Sequence, residues 1–428
     1  MDNTPDLNLI DIRTLAQLQN EFDKVYLLED RQVIKTVAAF VIANRTARDP
    51  LWLFLVAPSS GGKTEIINAI EGLTKFVHPI DTLTVNTFAS GQKRAGKETS
   101  LLLKIQSGIL TFKDFTSILE MNKDARKEIM SQLRAIFDGK YVKRTGTGDD
   151  ITWNGKLGLI AAVTSIIHHK QQEFAAMGER FIQYSIKQPD RKEVQRRIFS
   201  NSFDIGQKRT HLQLCFKSYI ENVLNAMQDV DVKFSAAVTD ELIELADFST
   251  MARSGLAVSE RDGSIQFIPD SEMPTRVTSQ LITLASGLIS LQRGEPGYVQ
   301  PATGDELSAD DREIIHKITL DSVPRKRRQA LQFLTKYRLG ATAAAVATEL
   351  NYETEVMKQT LQELCALQLA KRVARRDTYF YVLNPLYRPT LEKFENISPL
   401  DEELQATNAN EEDTTDANKA VDEAFDLI

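Results

Sequence analysis

Apolar positions change their spacing several times along the chain, and each change predicts an element. Between Arg31 and Asn44 they fall at Val33, Ile34, Val37, Ala38 and Val41, one face of a helix. Asp49-Pro50 breaks that pattern. Leu51–Val56 is then an unbroken apolar run, the mark of a parallel strand buried on both faces. Helical spacing resumes over Thr64–Leu73, after a glycine-containing loop. Ile12–Phe22 reads as a further helix and Val25–Leu28 as a short strand. Thr82–Thr87, Gly108–Phe112 and Leu157–Val163 predict three more strands, and Lys123–Phe137 an amphipathic helix. Tyr141–Arg144 and Ile151–Trp153 flank the turn-rich run Thr145-Gly146-Thr147-Gly148-Asp149-Asp150, which predicts a hairpin. Strand, glycine loop and helix in that order predict an α/β nucleotide-binding core.

The pattern then becomes mostly helical, and no internal repeat is present. The organisation expected is an N-terminal helical and α/β core over 1–191, a helical segment over 192–294 and a Gly/Pro-containing linker over 295–307. A small unit over 308–394 and an acidic tail over 395–428 follow. In the small unit, Arg325–Arg338, Thr342–Glu349 and Glu353–Leu367 predict helices, and Leu369–Arg376 with Thr378–Leu383 a hairpin. That combination predicts a winged helix–turn–helix.

Composition narrows the function classes. The 428 residues suggest about two to four domains and include only Cys215 and Cys365, so no disulfide scaffold is expected and a reducing, cytoplasmic setting is. The five His show no metal-ligand spacing, and adjacent His168 and His169 have no Cys pair near them, so structural zinc is not expected. Met1–Asn8 lacks the basic and apolar regions of a signal peptide, and no apolar run is long enough to span a membrane. The net charge of −7 is unevenly spread: residues 398–428 carry ten acids against Lys419 alone, so the rest of the chain is near +2 and tolerates a polyanion. The tail's polar, acidic composition reads as disorder.

The loop carries the sharpest chemistry. Ala57-Pro58-Ser59-Ser60-Gly61-Gly62-Lys63-Thr64 fits Gly/Ala, four residues, then Gly-Lys-Thr. Gly61 and Gly62 let backbone N–H groups close around phosphates, Lys63 supplies a point charge, and the Thr64 hydroxyl can ligate Mg²⁺. Ala57 stands where Gly is usual. In Ile109-Leu110-Thr111-Phe112-Lys113-Asp114-Phe115, a strand-end acid should hold Mg²⁺ and a following acid should activate water. Two assignments stand open: Asp114 is the metal acid and the base lies elsewhere, with Glu98 and Glu120 as substitutes, or Lys113 fills the metal-acid slot and Asp114 the base slot. Asp114 also suits a helix N-cap before Thr116–Leu119.

In ordered series, the loop at 57–64, the strand ending at Asp114, the helix 123–137 with the hairpin 141–153, the strand ending at Thr164 and Gly178-Glu179-Arg180-Phe181 resemble the AAA+ superfamily. Within it they look most like minichromosome-maintenance-type helicases and related phage or mobile-element ATPases. The resemblance covers about 50–290 and implies ATP and Mg²⁺ bound between subunits of a hexameric ring. It implies that the hairpin enters the pore and touches DNA through Lys143 and Arg144, with Lys140 and Lys156 at its base. It implies that Thr164 orients water and that Arg180 reaches the neighbouring subunit's γ-phosphate. Segment 192–294 becomes a helical lid whose Arg276, with Arg253 as rival, senses ATP. The departures are Phe115 in place of a second acid and Glu179 where Ser is usual. A slow ATP-gated assembly switch therefore stands beside the motor.

In the C-terminal unit, Glu353, Glu355 and Glu363 face Lys358 alone on the recognition-type helix, while cations gather in Arg325-Lys326-Arg327-Arg328 and at Lys371, Arg372, Arg375 and Arg376. DNA contact through the wing and protein docking both stand. The tail's ending, Asp422-Glu423-Ala424-Phe425-Asp426-Leu427-Ile428, resembles segments that dock on replication partners, and it also reads as a plain solubilising tail.

Overall fold

The computed structural model describes residues 10–89, 93–94, 97–98, 100–144, 150–169, 180–201, 204–227, 231–258, 265–267, 273–375 and 378–394. The hairpin tip at 145–149, residues 170–179 with Gly178 and Glu179, Arg376 and the acidic tail lie outside them. Compactness divides the chain into two units: 1–242 with 278–318, and 243–277 with 319–428.

The first unit opens with helix α1, Leu15–Val25, which Thr14 starts by accepting the Gln17 amide while Gln17 caps back. Helix α2, Gln32–Ala43, is buried along almost its whole length. Strand β1, Trp52–Val56, leads through the loop into α3, Lys63–Ile70. Then come β2, Val77–Ile80; a short pair, β3 Lys93–Arg94 and β4 Lys97–Glu98; and β5, Ser107–Phe112. Helices α4, Thr116–Glu120, and α5, Lys123–Phe137, precede the hairpin β6, Lys140–Lys143, and β7, Ile151–Asn154. Strands β8, Lys156–Val163, and β9, Phe181–Ser185, complete the sheet, and α6, Arg191–Asn201, and α7, Ile205–Ala226, follow.

Five of these strands form one parallel sheet in the order β2-β5-β8-β1-β9. Both β5 and β8 lie between β1 and β2, so the chain leaving β1 crosses two strands before it re-enters the sheet. The connection to β9 goes to the other side of β1, and that reversal places a crevice beyond the carboxyl end of β1. The α/β class and the parallel core agree with expectation. The expected strand at Thr82–Thr87 is absent, and Val77–Ile80 takes its place at the sheet edge. Pro79 lacks an N–H and reads as a breaker, yet an edge strand tolerates it. Val25–Leu28 is not a strand either: Val25 ends α1 as a buried residue.

Close contacts hold the sheet to α2. Buried Asn44 donates to the carbonyls of Phe40 and Leu51 and accepts the Leu51 amide at 3.0 Å. Gly158 on β8 faces it, where a Cβ would lie 2.5 Å from the Asn44 amide group. Within the stretch 295–307, fully buried Asp305 accepts Arg293 at 2.7 Å and the Lys233 amide at 2.9 Å.

The second unit holds the end of α8, Ala236–Arg253, the short pair β10 Ala257–Val258 and β11 Ile265–Phe267, and the start of α9, Thr275–Gly294. It continues with the end of α10, Ala309–Asp321, then α11, Arg325–Lys336, α12, Ala343–Leu350, and α13, Thr354–Ala366. An antiparallel pair, β12 Ala370–Arg375 and β13 Thr378–Leu383, and α14, Arg388–Phe394, end it. Its core gathers Phe248, Leu331, Leu334, Met357, Leu361 and Leu383.

Candidate functional site

The loop between β1 and α3 begins where the Ala57 amide donates to the Val163 carbonyl at the end of β8. Gly61 is required by space: a Cβ would stand 2.9 Å from Gln188 Oε1 and from the Pro58 carbonyl. Gly62 is required by backbone, since its φ of 81° is left-handed at the helix N-cap. Ser60 shares the left-handed region at φ 61°. Lys63 is 7% exposed and donates to the Ala57 and Pro58 carbonyls at 2.7 and 2.6 Å. Burial lowers its pKa, and the charge of Asp114 opposes that shift. Pro58, Ser59, Ser60 and Thr64 are exposed.

Three adjacent strands bring the expected residues together. Asp114 follows β5, Thr164 follows β8 and the loop follows β1, all at the carboxyl end of the sheet. Asp114 is exposed and accepts the Thr116 amide at 3.1 Å, but the N-cap position of α4 falls to Phe115, so Asp114 is not the cap that was expected. Its charge nonetheless acts on Lys63. Lys113 turns to Glu71, Nζ to Oε2 2.8 Å, and Thr111 donates to the other oxygen of the same carboxylate. Both open assignments keep Asp114 beside the loop, and Lys113 is paired with Glu71. Phe115, where a second acid was expected, is fully buried against Phe54, Phe112 and Phe181, and its amide donates to Ala162 at 2.8 Å. The half-buried Thr164 donates its amide to the Thr116 hydroxyl at 3.2 Å. Glu120 ends α4 exposed, and the side chain of Glu98 lies outside the described residues.

Arg180 sits at the other end of the same sheet. Phe181 pairs with Trp52, so Arg180 lies before the start of β1 while the loop lies after its end. At about 3.3 Å per residue the two are some 20 Å apart, beyond the reach of an arginine side chain. Its guanidinium pairs with Asp138 at 3.0 Å and covers the Phe137 ring, and its carbonyl accepts from Gln280. Arg253 and Arg276 both belong to the second unit.

The hairpin forms in register, Lys140 opposite Asn154 and Lys143 opposite Ile151. Its cations do not act as one set. Lys156 donates to the Thr46 carbonyl at 2.7 Å, and burial pushes its ammonium down to about 8. Lys143 donates to the Ala89 carbonyl at 2.8 Å, while Lys140 and Arg144 are exposed. In the second unit the basic run is also divided. Arg327 is buried, bound to Glu363 and to the Ala252 and Ser254 carbonyls; Arg328 pairs with Asp321; Arg325 and Lys326 are exposed. Arg372 stacks over Tyr379 at 4.4 Å.

Sequence reasoning missed the second layer around the loop. Glu65, next to Thr64, accepts from Tyr26 at 2.7 Å and pairs with Arg209 of α7. Gln188 flanks Gly61. Neither carries a motif, because the partners lie far apart in the chain.

The site can hold a polyphosphate at the N-terminus of α3, where free N–H groups, the helix dipole and Lys63 converge. Exposed Thr64 and Asp114 offer two oxygen ligands suited to Mg²⁺. Compared with known proteins, the chain matches no family model and no curated protein. No helix among the described residues is long and apolar enough to cross a membrane.

Proposed function

We propose that this chain is a ring-forming AAA+ ATPase that couples ATP hydrolysis to DNA unwinding, translocation or helicase loading in replication of a phage or mobile element. One observation carries the reading: the loop with Lys63, Asp114 and Thr164 end three neighbouring parallel strands, while Arg180 stands at the opposite end of the sheet. Lys63 would exchange its two loop carbonyls for phosphate oxygens, Thr64 and Asp114 would hold Mg²⁺, and Thr164 would orient water. Bound Mg²⁺ supplies charge neutralisation at the transferring phosphoryl group. Arg180 is too far from its own loop to serve it, which supports action on a neighbouring subunit. Arg276 would report on ATP, as the resemblance implies. Helices α11, α12 and α13 with the antiparallel pair β12–β13 of the second unit support a winged helix–turn–helix, and the acidic tail would dock on a replication partner.

A second reading, the slow assembly switch, draws on Phe115. A core aromatic occupies the position where a water-activating acid was expected. The two divided hairpin lysines also weaken the motor. Steady-state ATPase with and without DNA, alongside strand displacement, separates the readings. DNA-stimulated turnover with unwinding supports the motor; ATP-dependent assembly with negligible turnover supports the switch; no nucleotide binding overturns both.

A further inference from the structure

Glu21 on α1 and His211 and Cys215 on α7 meet inside the first unit. His211 and Cys215 are four residues apart on one helix, so both project from the same face. His211 Nε2 lies 2.9 Å from Glu21 Oε2 and 3.3 Å from Cys215 Sγ. Among the described residues, this is the one group of three such side chains whose ligand atoms converge, all within 4.8 Å of one another.

Two chemistries compete for such a trio. A Cys–His–Glu relay needs the thiol and the carboxylate on opposite ring nitrogens, so that a proton can pass across the imidazole. Here both contacts fall on Nε2, which excludes the relay. Three donors of different type within 4.8 Å of one another are what a metal ion needs. Thiolate, imidazole and carboxylate together suit zinc, and the thiolate argues against Mg²⁺ or Ca²⁺. In a tetrahedral zinc site neighbouring ligand atoms stand roughly 3.4–3.6 Å apart, from bond lengths of about 2.0–2.3 Å. The two contacts of His211 need to open only by a few tenths of an ångström, and the carboxylate and thiol, within 4.8 Å of each other, close on the ion from either side.

The surroundings leave room for this. Lys24 takes Glu21 Oε1 at 2.5 Å, so Oε2 is the oxygen turned to the centre. Cys215 is fully buried, whereas the His211 and Glu21 side chains are 34% and 18% exposed, which opens one side to solvent. Burial holds the free thiol up to about 12, so without a cation it is no nucleophile.

We propose that Glu21, His211 and Cys215 bind one Zn²⁺, with water as fourth ligand, and clasp α1 to α7. The ion would lie apart from the loop at 57–64, with its water position on the exposed side of the trio. The full-length protein is titrated with Zn²⁺ against a chromophoric chelator, and with Co²⁺ under anaerobic conditions. One equivalent should bind, the cobalt form should show a thiolate-to-metal charge-transfer band, and Zn²⁺ should raise the midpoint of thermal unfolding. Cys215→Ser and His211→Gln should each weaken zinc by more than about 100-fold, the upper range for losing only an outer-shell partner. Cys365→Ser should change nothing. Absence of stoichiometric binding overturns the proposal, as does binding that survives Cys215→Ser and His211→Gln. Should those variants fail to fold, the cobalt spectrum of the unaltered protein decides: a spectrum without the thiolate band refutes the site.

Discussion

Lys63 donates its ammonium to the Ala57 carbonyl at 2.7 Å, so the glycine loop holds its own lysine. The second acceptor, Pro58, is at 2.6 Å, and together they keep a largely buried cation bonded. On the proposed reading, a phosphate would replace bonds already made, and the gain in binding would come from exchanging neutral acceptors for charged ones.

Lys63→Ala should reduce ATP turnover by on the order of 10²-fold or more, because it removes the one cation built into the loop. Nucleotide binding followed by fluorescence, together with phosphate release, checks this. Unchanged affinity and turnover would remove the nucleotide-site assignment.

Arg180→Ala should leave ATP binding nearly intact and lower hydrolysis by roughly 10³–10⁵, the range known for arginine fingers. Arg180→Ala subunits keep their loop and Lys63→Ala subunits keep their arginine. Co-assembled mixtures should regain part of the activity that each lacks alone. Silence in demonstrably mixed assemblies would mean that Arg180 serves only its bond to Asp138.

For the hairpin, the divided environment makes a graded expectation. Lys140→Ala with Arg144→Ala should weaken DNA binding and reduce the magnitude of the salt slope by about 1.4–1.8, for two lost phosphate contacts. Lys143→Ala should have a smaller effect, since that ammonium already serves Ala89. Titrations at several salt concentrations decide, and an unchanged slope in the double variant contradicts a hairpin–DNA contact.

Lys156 makes stability depend on pH. Its folded pKa is lowered to about 8 from 10.5, so between those values the unfolded chain binds more protons and stability rises with pH. The gain is on the order of 1–2 kcal/mol once solvent screening of a partly exposed ammonium is allowed for. Lys156→Met should flatten that rise relative to the unaltered protein, measured by urea unfolding at pH 7.5 to 10.5. Parallel curves for the two proteins would exclude the effect.

Gly158→Ala should destabilise the first unit by about 1–3 kcal/mol, because the new methyl meets the Asn44 amide that stitches α2 to β1. Denaturant unfolding checks it, and a neutral outcome means that Asn44 moves aside at no cost.

Much of this was legible in local pattern. Leu51–Val56 announced a buried strand because both its faces are covered, and the loop announced itself because its chemistry is contiguous. Val77–Ile80 was missed because Pro79 hides a strand whose place is the sheet edge. The division of the hairpin lysines was invisible, since Ala89 and Thr46 lie far from Lys143 and Lys156 in sequence. The Glu21, His211 and Cys215 cluster escaped for the same reason: one partner is 190 residues from the next.

Arg180 and the loop at opposite ends of one sheet have a consequence for regulation by abundance. On the proposed reading, an isolated subunit can load nucleotide yet has no complete catalytic centre. Turnover per molecule then climbs with protein concentration until every head has met a tail, and dilution switches the enzyme off without any inhibitor. A cell could set the onset of activity through synthesis and degradation of the chain alone, with ATP already bound and waiting.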